Sequence, residues 1–469
     1  MTKAFTWLIA LSTLGLSGCL TLAPDYDRPE APVAEAWPDA ANSEVASELT
    51  RTNAAPELDW QEFFTDPKLQ AVINLALTNN RDLRIAALNI EKAQALYGVQ
   101  RADLLPTINA TGSGSKSRTP ASLSPSGAAL ESERYEVSLG FTGYELDLFG
   151  RVRSLKAAAL ERYLASEQAQ HSAHISIVAG VANAYLTLAA DRERLQLATD
   201  TFQAQKEATD LIQKRFDVGA ASEIELRQSQ TAMESARVDI ARYQGIVAVD
   251  ENALTLIVGS PISAELLPSD LSSQSDMPEL VPSLPSEVLQ QRPDILQQEN
   301  LLKAANANIG AARAAFFPRI SLTAGFGTAS DELSGLFKSG SDAWSFLPSI
   351  TLPIFESGKN RANLRIAKAD RDIALAQYEK TIQTAFREVA DTLVMRSSIT
   401  GQLNAQQALV NATAAAHRLA EERYKNGVDS QLVVLDAQRS LYAAQQGLVA
   451  LRLTQLANRL TLYKVLGGG

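Results

Sequence analysis

From Leu148 to Phe216 the chain runs 69 residues without a proline, interrupted only by Gly150 and Gly180; Glu356 to Tyr424 repeats this, with Gly358 and Gly401. As continuous helices, each segment would be a rod of roughly 100 Å at 1.5 Å per residue. Such a rod cannot be buried in one compact core. The soft expectation of about three ordinary domains for this length therefore fails. Composition points the same way, with 46% hydrophobic but only 6% aromatic residues, as suits a thin helical wall.

The two long segments belong to an internal repeat. Asn80-Arg81-Asp82-Leu83, leading to Leu104-Leu105-Pro106-Thr107-Ile108, is answered by Arg292-Pro293-Asp294-Ile295, leading to Phe316-Phe317-Pro318-Arg319-Ile320. Leu146-Asp147-Leu148-Phe149 is answered by Leu352-Pro353-Ile354-Phe355, and Arg215-Phe216-Asp217-Val218-Gly219 by Arg423-Tyr424-Lys425-Asn426-Gly427. Each copy predicts a helix (67–104; 287–316) that ends at a proline. Two alternating segments follow, carried by Tyr135, Val137, Leu139 and Phe141 in the first copy. In the second they are carried by Ile320, Leu322, Ala324 and Phe326, then by Trp344, Phe346, Ile350, Leu352 and Ile354. Period two with one apolar face is the strand pattern; the segment 106–116, held by Ile108 and Ala110 among Gly and Ser, shows it more weakly.

After each long helix the chain turns at Gly219 or Gly427, and a return helix (222–258; 430–466) begins. Leu226, Met233, Ile240, Val247 and Leu254 recur at seven, as do Leu435, Tyr442, Val449, Leu456 and Tyr463. That period implies left-handed coiled-coil packing against neighbouring helices. The expected organisation is a signal peptide (1–18), an extended N-terminal segment (19–66), a first repeat (67–258), a proline-rich linker (259–286) and a second repeat (287–466).

Residues 1–18 carry one charge, Lys3, then the apolar run Ala4 to Leu16 and small residues, which is the layout of a secretory signal peptide. The run is too short to span a bilayer as a helix. Leu16-Ser17-Gly18-Cys19 resembles the bacterial lipobox, which implies cleavage before Cys19 and acylation of it. Leu20, where Asp would favour retention at the inner membrane, points in lipoproteins of that kind to the outer membrane. A multiply acylated cysteine is a stable anchor at about 0.8 kcal/mol per buried methylene.

Several function classes are disfavoured. A net charge of −10 (−11 once Lys3 is removed) without a Lys/Arg-rich run argues against nucleic-acid binding. One cysteine excludes an internal disulfide or a thiolate metal cluster, and the three histidines, with His171 and His174 three apart, supply no evident third ligand. No hydrolase, zincin or complete phosphate-loop pattern occurs; Ser357-Gly358-Lys359 lacks the upstream glycine frame. No catalytic residue, metal or cofactor is expected.

Four strands of about ten residues with one apolar face have the length to cross a bilayer as tilted β structure. An open sheet in lipid leaves its edges unsatisfied, so it must close. Single-chain barrels begin at eight strands, so closure requires several chains. The long helices then project into the periplasm as a helical cylinder.

The lipobox followed by Ala23-Pro24-Asp25-Tyr26-Asp27-Arg28-Pro29, the duplicated helix-strand-strand-helix-helix unit and the paired glycine turns resemble the TolC/OprM family of outer-membrane efflux proteins, most of all its lipoprotein branch. The resemblance implies a mainly α chain with membrane β structure. In that family three protomers form a twelve-stranded β-barrel continuous with a twelve-helix periplasmic α-barrel. It implies a gated exit duct of a tripartite efflux system, a homotrimer in outer-membrane lipid that works with a periplasmic adaptor and a resistance-nodulation-division pump. Carried over by position, Val218, Gly219 and Ala220, with Asn426, Gly427 and Val428, are the adaptor-docking turns. Glu225 and Asp436 place carboxylates at the periplasmic entrance, and Arg423 with Tyr424 latches neighbouring helices. Asp429 departs from TolC, which has a basic residue there; a symmetric ring of Glu225, Asp429 and Asp436 would favour cations. The alternatives are the duct of a type I protein secretion system and, less favoured, a structural coiled-coil lipoprotein.

Overall fold

The computed structural model describes residues 21–34, 37, 59–272, 277, 278, 280 and 291–468. Residues 1–18, expected to be a signal peptide, and Cys19 lie outside the described residues. In chain order come α1 (Trp60–Phe63), α2 (Pro67–Asn79), α3 (Arg81–Ala102), β1 (Asn109–Thr119), β2 (Leu130–Leu146), α4 (Arg151–Asp217) and α5 (Glu223–Val258). They are followed by α6 (Pro293–Ala314), β3 (Arg319–Ser330), β4 (Asp342–Thr351), α7 (Lys359–Lys425) and α8 (Gln431–Val465).

The long helices α4 and α7 have 67 residues each, close to the proline-free runs that announced them. The single helix expected over 67–104 is instead two. Asn80 closes α2 in an extended conformation (φ −62°, ψ 134°). Its Oδ1 then accepts from the amides of Asp82 (2.8 Å) and Leu83 (3.0 Å), capping α3. Its Nδ2 donates to the Ile257 carbonyl at 2.6 Å, so a long-range contact fixes the break.

The chain divides into two compact units. One comprises residues 1–30, 89–167 and 297–378 and holds the sheet. The strands form one antiparallel meander, β1-β2-β3-β4. β1 is a full strand despite its Ser/Gly content, because each residue from Asn109 to Thr119 is in register with β2. Leu139, Phe326 and Trp344 are cross-strand neighbours, as are Phe141, Ala324 and Phe346. Leu139, Phe326 and Trp344 are 58%, 67% and 76% exposed, so this face offers water a continuous apolar surface. On the opposite face Gly140, Gly325 and Ser345 align, as do Ser321 and Ser349. Toward the β1–β2 loop the pattern turns ionic, with Lys116 and Glu133 2.5 Å apart. At the other end Glu145 receives Arg151 (2.8 Å) and Arg319 (2.5 Å).

The two repeats meet at the β2–β3 pairing. There a Cβ on Gly140 would collide with the Ala324 carbonyl oxygen, and one on Gly327 with that of Val137, so glycine is what lets these backbones approach. A bulge follows between Phe141 and Tyr144, where the Gly143 amide donates to Thr323 Oγ1 at 3.1 Å.

The other unit comprises 31–88, 168–296 and 379–469 and holds the main apolar core. Leu69, Val72, Ile73 and Ala76 of α2 pack with Val181, Ala182, Tyr185 and Leu186 of α4, Leu254 and Val258 of α5, and Leu456, Leu460 and Tyr463 of α8. Phe63 stacks on Tyr463 with ring centroids 4.5 Å apart. α4 contains a window of mean hydropathy 1.4, half of it buried, that is apolar enough to cross a membrane; this core accounts for that apolarity. The N-terminal and linker segments contribute to this core as well. Trp60, Phe63 and Phe64 enter from the N-terminal side, and Leu271 and Met277 from the linker.

Candidate functional site at the paired helix turns

Both long helices end in the same motif. The Gly219 amide donates to the Phe216 carbonyl (2.9 Å) and the Ala220 amide to that of Arg215 (2.6 Å). In the second copy Gly427 donates to Tyr424 (2.9 Å) and Val428 to Arg423 (2.9 Å). These are Schellman closures, which need a left-handed residue at the turn. Gly219 (φ +75°) and Gly427 (φ +73°) supply it. The turns present Val218 and Val428, 78% and 60% exposed, with Ala220 and Asn426 beside them, also exposed.

The side chains of the two copies then diverge. The second copy has Tyr424 and Asp429 where the first has Phe216 and Ala221. Arg423 therefore finds a carboxylate in its own turn, with Nε and Nη2 2.6 and 3.0 Å from Asp429. This bidentate pair holds the Asp429 carboxyl below the usual carboxylate range and pushes the Arg423 guanidinium up. Arg215 has no such acid at position 221. Its Nη2 donates to its own turn's Ala220 carbonyl (3.2 Å) and its Nη1 to Tyr424 Oη (2.6 Å).

Among the expected entrance residues, Arg423 thus pairs with Asp429, while Tyr424 receives Arg215. Glu225 closes a capping box at the start of α5: the Ser222 amide donates to its carboxylate at 2.9 Å and its own amide to Ser222 Oγ at 3.3 Å. Asp436 pairs with Arg439 at 2.7 Å, one turn along α8. Asp429 and Asp436 so carry a counter-charge within the chain, and Glu225 receives a main-chain N–H.

Sequence reasoning missed Arg215 as a contact residue; the signal was the inequality of the two copies at 216/424 and 221/429. It also missed the polar ladder that follows the turns. Thr209 and Ser229 share a buried 2.6 Å hydrogen bond, Gln205 Nε2 donates to Gln438 Oε1 at 2.5 Å, and Tyr442 Oη donates to Asp239 at 3.0 Å. Burial, then Asp239, keeps the Tyr442 phenol protonated far above its ordinary range. Among the described residues no cluster of three or more His, Cys, Asp or Glu could hold a metal ion. The arrangement joins helix ends by hydrogen bonds and ion pairs.

The chain matches the family model "Outer membrane efflux protein" twice, over residues 72–260 and 284–468. It is 50% identical over 471 residues to the antibiotic efflux pump outer membrane protein ArpC of Pseudomonas putida, covering 100% of this chain and 96% of that one. It matches the toluene efflux pump outer membrane protein TtgC, also of Pseudomonas putida, with the same identity and coverage. The open state of the Neisseria gonorrhoeae MtrE outer membrane channel superposes with a TM-score of 0.86 at 40% identity, over 96% of this chain and 98% of that one. With the repeated helix-strand-strand-helix-helix unit and its paired turns, these matches establish that the chain belongs to the outer membrane efflux protein family.

Proposed function

We propose that this protein is the outer-membrane exit duct of a tripartite efflux system, a passive gated conduit that carries drugs or other small toxic compounds from an inner-membrane pump to the exterior. The observation that carries this reading is the sheet, in a chain of this family. Its Leu139–Phe326–Trp344 face is apolar and exposed, its opposite face is Ser- and Gly-rich, and β1 and β4 each have one unpaired edge. In lipid such edges must be paired, and copies of the same chain can pair them, β4 of one with β1 of the next. Three copies would give twelve strands.

On this reading Cys19 carries the acyl anchor, and Val218, Gly219, Ala220, Asn426, Gly427 and Val428 meet a periplasmic adaptor. Arg215, Arg423, Tyr424 and Asp429, with Glu225 and Asp436 nearby, hold the resting entrance narrow. The pump partner is of the resistance-nodulation-division type. No residue performs bond chemistry. Relatives at equal identity are named for antibiotics and for toluene, so the cargo is chosen elsewhere in the assembly.

Deleting the gene and profiling sensitivity to dyes, detergents, antibiotics and solvents tests the reading. Hypersensitivity to several compounds, restored by the intact gene, is the expected result. Unchanged sensitivity with loss of one secreted protein would instead assign the duct to type I secretion.

A further inference from the structure

Three polar residues on α6 stand seven apart, two helical turns each: Glu299, Asn306 and Arg313. Each holds one point of the N-terminal segment. Arg313 Nη1 donates to the Leu22 carbonyl at 2.9 Å, and Asn306 Nδ2 to the Pro24 carbonyl at 2.7 Å. Glu299 accepts from Tyr26 Oη (3.2 Å) and from Arg28 Nε and Nη2 (3.1 and 2.6 Å). Between these points a Cβ on Gly310 would collide with the Ala23 backbone, so the segment lies directly on the helix. The spacings match: fourteen helical residues rise about 21 Å, and the six steps from Leu22 to Arg28, fully extended, span at most about 20 to 22 Å.

The strap also completes the electrostatics beneath it. The Glu299 side chain is only 4% exposed. Burial pushes its carboxyl up, but Arg28 and Lys303 (3.0 Å) outweigh this and hold it below the usual range. Glu161 of α4 lies nearby with a buried Oε2 that has no hydrogen-bond partner among the described residues, and burial raises its carboxyl. Among the described residues, Lys303 is the cation that would remain beside the buried Glu299 carboxylate without Arg28.

We propose that the Glu299–Asn306–Arg313 ladder is a docking groove for the protein's own mature N-terminal segment, and that it acts as a ruler setting where the acylated Cys19 meets the membrane. The strap runs antiparallel to α6 and leaves it at Arg313, in the last turn before β3 begins at Arg319. Cys19 lies three residue steps before Leu22, a reach of at most about 11 Å. Docking therefore confines the anchor to the neighbourhood of the strand base, at one depth relative to the apolar band. Two points of the ladder read main-chain carbonyls and the third reads the Tyr26-x-Arg28 pair. This role rests on the lipid-anchor reading of Cys19.

Chymotrypsin cleavage after Tyr26, followed by mass spectrometry of the N-terminal peptide, tests it on protein in outer-membrane fragments whose periplasmic face is open to the protease. The wild type should be cut at least tenfold more slowly than Arg28→Met, a change on the strap alone, and than Asn306→Ala, which removes one reader on α6. Equal rates for the wild type and both variants overturn the docking. Wild-type protection with an N-terminal peptide lacking acyl mass overturns the ruler role through the lipid reading, while the docking itself stands. Protection, loss of protection in both variants and an acylated peptide together support the proposal.

Discussion

Arg215 Nη1 donates a 2.6 Å hydrogen bond to Tyr424 Oη, tying the last turn of α4 to the last turn of α7 across 209 residues of sequence. The guanidinium carbon also lies 5.8 Å from the Tyr424 ring centroid. Arg215 is available for this contact because Ala221 offers no carboxylate in its own turn, and Tyr424 can receive it because the second copy carries a hydroxyl where the first has Phe216.

If this bond restrains the entrance, Tyr424→Phe releases it while keeping the ring and its packing. Removing one partner of a hydrogen bond to a charged group costs on the order of 1.5–3 kcal/mol locally. That is enough to shift a resting entrance measurably toward open. Unitary conductance in planar bilayers should rise at least twofold over the wild type, and Arg215→Ala should do the same. Unchanged conductance in both variants would remove this contact from gating.

The Arg423–Asp429 pair works differently. Asp429 is held low by Arg423, so the charged pair persists wherever the carboxyl stays ionised and is lost only as pH falls below the ordinary carboxylate range. Between pH 5 and 8 the pair should therefore be constant. Asp429→Asn leaves Arg423 uncompensated and adds one positive charge per chain at the turn. Reversal potentials across a salt gradient should shift toward anions in that variant, and at pH 5 and pH 8 alike. A shift at only one of these pH values would show that a different group is titrating.

The turns themselves test the backbone argument. Gly219 and Gly427 have positive φ, and an added Cβ meets nothing within 4 Å among the described residues, so any penalty for alanine is conformational. The left-handed region costs an L-residue roughly 1–2 kcal/mol. Gly219→Ala should speed amide exchange at Ala220, whose N–H bonds the Arg215 carbonyl at 2.6 Å, by about five- to thirtyfold. Gly219→Asn, which tolerates this region better, should fall between alanine and the wild type.

Much of this molecule is legible in its sequence because its governing features are periodic. The proline-free runs gave the lengths of α4 and α7 to within a few residues, and alternation located the strands through Leu139, Phe326 and Trp344. What escaped was set by contacts distant in sequence. Asn80 sits within a helical pattern, and only its bond to the Ile257 carbonyl and its cap on α3 show why the helix breaks there. β1 has little strand character of its own and takes it from register with β2. At the turns the glycines were evident, but the pairing of Arg215 with Tyr424 depends on which arginine has an acid at its own turn.

Asp250 provides a pH-dependent test. It lies on α5, and burial, its hydrogen bond to Asp191 of α4 and that residue's charge push its carboxyl up to about 6, against the opposing effect of Arg194. Arg194 Nη1 is 2.7 Å from Asp191 Oδ1. Because the folded value is raised, the stability linked to this group is present below the unfolded value and lost as pH rises through about 6. Asp250→Asn removes the titration. Thermal midpoints of the wild type relative to this variant should fall between pH 4 and pH 7, with most of the fall complete by pH 6.5. Parallel curves would assign the pH dependence to other groups.

The junction of the two repeats gives the sharpest mutational contrast. A Cβ at Gly140 or Gly327 runs into backbone of the facing strand, which cannot rotate away as a side chain can. Gly140→Ala should therefore force β2 and β3 apart, and with them the ladder that carries Leu139 beside Phe326. Gly112→Ala is the control: its Cβ would rest 3.8 Å from Val137 Cγ2, an ordinary contact on the same sheet. Both remove a glycine from a strand, so any general effect of alanine is shared. Assembly read as detergent-resistant oligomer on unheated gels should be lost or halved for Gly140→Ala and retained for Gly112→Ala. Equal assembly of the two variants would mean that the β2–β3 seam relaxes around the methyl group, and that close backbone approach there is not needed for the sheet to close.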